Sequence, residues 1–199
     1  MQDEGYIKFR VHREHGPVVP KQELLRCRQI LYRAGLIGMY PNGIGFGNIS
    51  QRVQKGKPTF WITATATGGL ERLSANEVVL IEKCAPQTNE LWCKGTRDPS
   101  SESMTHYVVY NTLPEQMGVV HVHHKAMWQK LLNSLPYTPA DVPYGTVEMA
   151  RAVQDLLQVP QIKRAGIFAM GGHDEGILSF GESLEKAVKN IMQLLEECK

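Results

Sequence analysis

Residues 118–124 read GVVHVHH, three histidines within four positions of an otherwise apolar run. Side chains alternate across a strand. His121 and His123 therefore point to one side, and Val120 and Val122 to the other. Two readings are open for such a pair. It faces solvent as ordinary strand histidines, or it grips one metal ion, which imidazoles at i and i+2 on one face can do. Catalytic zinc commonly takes three protein ligands and keeps a position for water or substrate, so a third donor is needed. His173 is the best candidate. It follows a second apolar strand in AMGGHDEG, where glycine allows close backbone approach. His12 and His15 lie near the N-terminus. His106 sits four residues after Glu102 and shares a helix face with it. His124 lies opposite His123 or opens the next helix, a structural or supporting place.

The rest of the chain supplies the frame. KQELLRCRQILYRAGL carries Leu24, Cys27, Leu31 and Ala34 at helical spacing. PTFWITATAT, EVVLIEK, ELWCKG, RAGIFAM and EGILSFG read as strands. SSESMTHYVVYNTL, KAMWQKLLNSL and TVEMARAVQDLLQ read as helices, as does SLEKAVKNIMQLLEECK with Ser183 as N-cap. Residues 1–18 read as an extended arm. Early strands come in a run and later ones alternate with helices, which predicts an α/β domain: a mixed sheet with helices on its faces. With 199 residues and no linker or repeat, residues 1–199 form one domain with a sizeable core.

Composition narrows the partners. The chain has 22 basic and 20 acidic residues, a formal net charge of +2, which argues against nucleic acid as the main ligand. Lys21, Arg26, Arg28 and Arg33 group on the first helix and read as a solvated face. No apolar run approaches the roughly 20 residues a membrane helix needs, and the charged opening MQDEGYIKFRVHREHG does not resemble a secretory signal. Cys27, Cys84, Cys93 and Cys198 lack CxxC spacing and fit free thiols in a reducing cytoplasm.

Glu102 follows Pro99-Ser100-Ser101 at an expected helix start. A carboxylate there is favoured by the helix dipole alone, and it also suits a general acid/base beside a metal. Ser100-Ser101 at the same helix start, with the turns Gly47-Asn48 and Thr67-Gly68, offers N–H and hydroxyl donors. Together these suit a bound phosphate or carboxylate.

FGNISQR, ITATATGG, DPSSES, GVVHVHH and FAMGGHDEGILSFGESLEKAV, in this order, resemble the class II aldolase/adducin family, in particular its bacterial fuculose-phosphate aldolase branch. The resemblance runs from about Lys21 to the C-terminus. It implies a three-layer α/β/α sandwich around a mainly antiparallel sheet, and a homotetramer with one divalent metal per subunit, usually zinc. It implies that His121, His123 and His173 hold the metal, that Glu102 is the acid/base, and that Gly47, Asn48, Thr67, Gly68, Ser100 and Ser101 cradle the substrate's phosphate. The implied reaction is cleavage of a phosphorylated ketose to dihydroxyacetone phosphate and an aldehyde, through an enediolate that the metal stabilises. Sugar-phosphate 4-epimerases, dehydratases and decarboxylases share the scaffold, as do non-catalytic adducin-like domains. Two features depart from the pattern. His173 is followed by Asp174-Glu175-Gly176 rather than directly by glycine; the two acids either support a histidine's second nitrogen or form a solvated turn. Tyr137 and Tyr144 either serve a neighbouring subunit's site or pack.

Overall fold

Strands form where β-branched and aromatic residues alternate, and helices where apolar residues recur at three and four. In the computed structural model, which describes residues 7–199, β1 (Arg10–His15) precedes α1 (Gln22–Arg33). A small hairpin of β2 (Gly38–Met39) and β3 (Gly45–Phe46) leads into β4 (Asn48–Arg52), β5 (Phe60–Thr63), β6 (Val78–Ala85) and β7 (Glu90–Gly95). Then come α2 (Ser103–Thr112), β8 (Gly118–His123), α3 (Lys125–Leu132), α4 (Val147–Leu156) and α5 (Pro160–Ala165). β9 (Ile167–Ala169), β10 (Gly176–Gly181) and α6 (Leu184–Glu196) complete the order.

Eight strands make the central sheet, in the order β1-β7-β6-β5-β4-β8-β10-β9. Every pair is antiparallel except β1 with β7. The expected arm is thus in part an edge strand; its first six residues lie outside the described residues. β8 is central and buried along its whole length. Its neighbour β4 sets Asn48 opposite His121, and its neighbour β10 sets Gly176 opposite His123.

The alternation of β8 divides two cores. Val120 and Val122 pack with α1, α3 and α6 through Leu24, Leu31, Met127, Leu184 and Ile191. Val119 packs on the other face with α2 and α4 through Met104, Val108, Val109, Met149 and Val153. The result is three layers, α/β/α. Ser183 caps α6 as expected, its Oγ accepting from the Lys186 N–H at 3.1 Å. Among the described residues no helix is long and apolar enough to cross a membrane.

One charge departs from expectation. Lys21, Arg26 and Arg33 are exposed, but Arg28 is buried. It lies next to the Leu24–Cys27–Leu31 stripe, and its guanidinium reaches main-chain carbonyls beyond it. Helix α5 was not legible as a helix; Pro160 and Gly166 bound it.

Candidate metal centre and anion cradle

β8 carries His121 and His123 to the α2 face of the sheet. The turn between β9 and β10 brings His173 back over them. All three are buried, with 1%, 4% and 5% exposure. Their Nε2 atoms form a triangle: 3.0 Å from His123 to His121, 3.0 Å from His123 to His173, and 3.1 Å from His121 to His173. Among the described residues they are the group able to hold a metal ion. Three ring nitrogens cannot satisfy one another in a triangle, because each neutral imidazole has one donor and one acceptor. A cation at the centre satisfies all three. Tetrahedral zinc at ~2.05 Å from each nitrogen sets them about 3.3 Å apart, close to the spacing observed. The residues therefore fit a divalent ion.

The outer nitrogens fix the orientation of two rings. His121 Nδ1–H donates to the Ile177 carbonyl at 3.1 Å, which leaves the Nε2 lone pair facing inward. His123 Nδ1 lies 2.9 Å from the Tyr40 hydroxyl, which donates onward to Glu175 Oε2 at 3.3 Å. A carboxylate can only accept, so the proton order runs from His123 Nδ1–H to Tyr40 to Glu175. The His173 ring stacks on Tyr144, with centroids 4.3 Å apart and planes at 28°. Burial pushes His121 down to about 4 and holds His123 and His173 well below the usual imidazole value. All three are neutral at pH 7, as metal ligation requires.

The same cleft is lined by Gly47, Asn48, Thr67, Gly68, Ser100, Ser101 and Glu102. The predicted site residues, which come from five separate segments, are thus brought together. Gly47 has φ +76°, and a Cβ there would fall 2.8 Å from Ile37 Cγ1. A Cβ on Gly68 would fall 2.2 Å from the Gly38 carbonyl oxygen. Both turns need glycine. The Thr67 hydroxyl donates to the Ala64 carbonyl at 2.7 Å, so the turn's remaining donors are main-chain N–H groups. Glu102 occupies the N-cap position of α2, is 2% exposed, and makes no capping hydrogen bond with its side chain. Its carboxylate lines the cleft rather than serving the helix end.

The rival histidines lie elsewhere. His12 stacks on Trp92 and bonds Glu90 at the sheet edge. His15 bonds Arg13. His124 caps α3, its Nδ1 accepting from the Met127 N–H. His106 is fully buried behind the cleft, with Nδ1 at 2.7 Å from Ser50 Oγ. Of the two extra acids, Asp174 is exposed as a turn residue, while Glu175 supports His123 through Tyr40. Sequence reasoning missed Tyr40 and Phe46, whose ring lies 5.6 Å from that of His123. It left Tyr144 open; Tyr144 lines this chain's own cleft, and Tyr137 is 47% exposed.

Fold and site together define a three-layer α/β protein in which a three-histidine cluster able to hold a metal ion faces a donor-lined cleft. The sequence model of the Class II Aldolase and Adducin N-terminal domain matches residues 22–199, and the chain belongs to that family. Solved structures share the fold at low identity. An L-fuculose 1-phosphate aldolase is 22% identical, with 89% of this chain and 81% of that one covered and a TM-score of 0.65. The L-fuculose-1-phosphate aldolase from Thermus thermophilus is 20% identical, with 88% of each chain covered and a TM-score of 0.64. YgbL from Klebsiella pneumoniae, described as a candidate aldolase/epimerase/decarboxylase, is 22% identical, with 89% and 85% covered and a TM-score of 0.63.

Proposed function

We propose that this protein is a divalent-metal-dependent aldolase, a lyase that cleaves a phosphorylated ketose into dihydroxyacetone phosphate and an aldehyde. The observation that carries the reading is the convergence of three neutral histidine Nε2 atoms and the Glu102 carboxylate on one cleft. When bound by His121, His123 and His173, an ion such as Zn²⁺ supplies a Lewis acid for the ketose carbonyl. Glu102 is the group that holds and returns the proton at the carbon whose bond to the aldehyde fragment breaks. Gly47, Asn48, Thr67, Gly68, Ser100 and Ser101 bind the phosphate away from the reacting carbons. That binding energy orients the substrate. Burial excludes water and strengthens each of these interactions.

The same reading makes residues 1–199 one functional unit, working as a cytoplasmic homotetramer. Family membership and four free cysteines support it. A second reading keeps the cleft and changes the reaction to sugar-phosphate 4-epimerisation, dehydration or decarboxylation; the likeness to YgbL favours it. A non-catalytic adducin-like role has less support, since such a domain has no need of a buried, converging histidine triad.

A screen of ketose 1-phosphates on zinc-loaded protein tests the proposal. Dihydroxyacetone phosphate and an aldehyde should appear in equal amounts. Glu102→Gln should keep its zinc and lose turnover; full activity in that variant would remove Glu102 from the mechanism. An isomerised, dehydrated or decarboxylated product in place of the two fragments would favour the second reading.

A further inference from the structure

Among the described residues the cleft lining holds no Lys or Arg; the nearest cation on the Tyr144 side is Lys8, which bonds the Tyr144 carbonyl and lies over its ring, 4.4 Å from the centroid. A phosphate monoester carries nearly two negative charges at neutral pH, so an inward-facing set of neutral donors leaves most of that charge to be offset from elsewhere. Arg28 lies directly behind the Thr67–Gly68 turn. It is 1% exposed. Its Nη2 donates to the Thr67 carbonyl at 3.0 Å and to the Gly68 carbonyl at 2.9 Å, and its Nη1 to the Glu71 carbonyl at 3.0 Å. The guanidinium also lies over the Tyr32 ring, 4.6 Å from its centroid. Among the described residues no carboxylate pairs with it; its partners are the three carbonyls and the neutral Tyr32 ring.

A buried charge without a counter-charge is costly. The second buried arginine shows how the fold meets that cost elsewhere. Arg52 donates to the Tyr110 and Leu113 carbonyls, where the negative end of α2 supplies the compensating field. Arg28 has no helix end; its acceptors belong to a turn. In a trans peptide the N–H points opposite to the C=O. The N–H groups of Gly68 and Gly69 therefore point away from the guanidinium. Among the described residues the N–H groups of Ala66, Thr67, Gly68 and Gly69 donate to no protein acceptor. A cation at the oxygen end of two peptide units, with donors unused at their nitrogen ends, makes the turn an electropositive nest.

We propose that Arg28 is a positioning residue for the substrate's phosphate: from behind the Thr67–Gly68 turn it fixes the donors and supplies the positive charge that the cleft lining lacks. It does not touch the ligand. The inference rests on the phosphate reading of the cleft given above.

Charge and hydrogen bonding are separated by two substitutions. Arg28→Gln keeps N–H donors for the carbonyls and removes the charge; Arg28→Lys keeps the charge. The probe is methyl phosphate, titrated calorimetrically into zinc-loaded protein, with zinc content and melting temperature measured on each variant. Arg28→Gln should keep its zinc and bind methyl phosphate about tenfold more weakly or worse. Arg28→Lys should stay within about threefold of the parent protein, a rescue that a purely mechanical latch does not require. Equal affinities in the parent and in Arg28→Gln overturn the role of Arg28 and leave the phosphate reading standing. No binding to the zinc-loaded parent overturns both. If Arg28→Gln does not fold, Arg28→Lys decides: zinc retained with methyl phosphate binding near that of the parent supports the role, and zinc retained with binding lost refutes it.

Discussion

The two faces of the central sheet are built from the same strands and do opposite work. Toward α1, α3 and α6 the sheet presents Ile49, Val120, Val122 and Ile177, and the helices answer with aliphatic stripes. Toward α2 the same strands present Asn48, Ser50 and Arg52 from β4, and His121 and His123 from β8. The first face contributes stability through apolar burial. The second gives up part of that burial and must satisfy each polar group individually. Ser50 does so between His106 and Tyr110, and Arg52 at the end of α2. Period-two alternation lets one strand serve both purposes, with the cost of the site carried by the core one residue away.

Substitutions on the two faces should therefore separate stability from metal binding. The largest loss of stability with metal binding untouched is expected on the face toward α1, α3 and α6. Leu24→Ala, at a fully buried position, should cost about 2–5 kcal/mol in denaturant unfolding and leave zinc stoichiometry unchanged.

On the other face the sensitivity is to acid. Burial pushes His121 down to about 4 and holds His106, His123 and His173 well below their ordinary value of 6.5. Above pH 6.5 these groups are neutral in both states. Below it the unfolded chain takes up protons first, so the stability they contribute is present at high pH and is lost as pH falls from 6.5 toward about 4. Metal-free protein should show this as a falling melting temperature over that range. His106→Leu should flatten the curve.

Tyr40→Phe removes the acceptor for His123 Nδ1 and should weaken zinc binding about 10–100-fold in a chelator competition. The apolar core should remain intact, with unfolding cooperativity unchanged. Ser183→Ala, which removes the α6 cap on the apolar side, is expected to have the smallest effect, about 1 kcal/mol, with zinc affinity unaltered.

These differences also mark what was legible in the chain. His121 and His123 declare themselves because their relation is local, two residues apart on a strand whose apolar neighbours fix its faces. Gly47, Thr67-Gly68 and Ser100-Ser101 are short contiguous turns with their own chemistry. Tyr40 gave no such signal. It meets His123 across 83 positions and Glu175 across 135, and neither pairing leaves a mark on neighbouring residues. Arg28 was misread for a related reason. Its place beside the apolar stripe suits a snorkelling cation as well as a buried one, and its acceptors are carbonyls, which carry no sequence identity. Helix α5 has six residues, too few for periodicity to show. The parallel pairing of β1 with β7 depends on the sheet being present first.

The central claim is that the triad of His121, His123 and His173 exists to hold a divalent ion. The most direct test is metal content per chain, by inductively coupled plasma mass spectrometry, on folded protein purified without chelator or metal-affinity resin. About one zinc or similar ion per chain is expected, with that ion lost in a folded His123→Ala variant. A folded parent protein that carries no metal and takes up none on zinc titration, or a His123→Ala variant with undiminished metal, would contradict it.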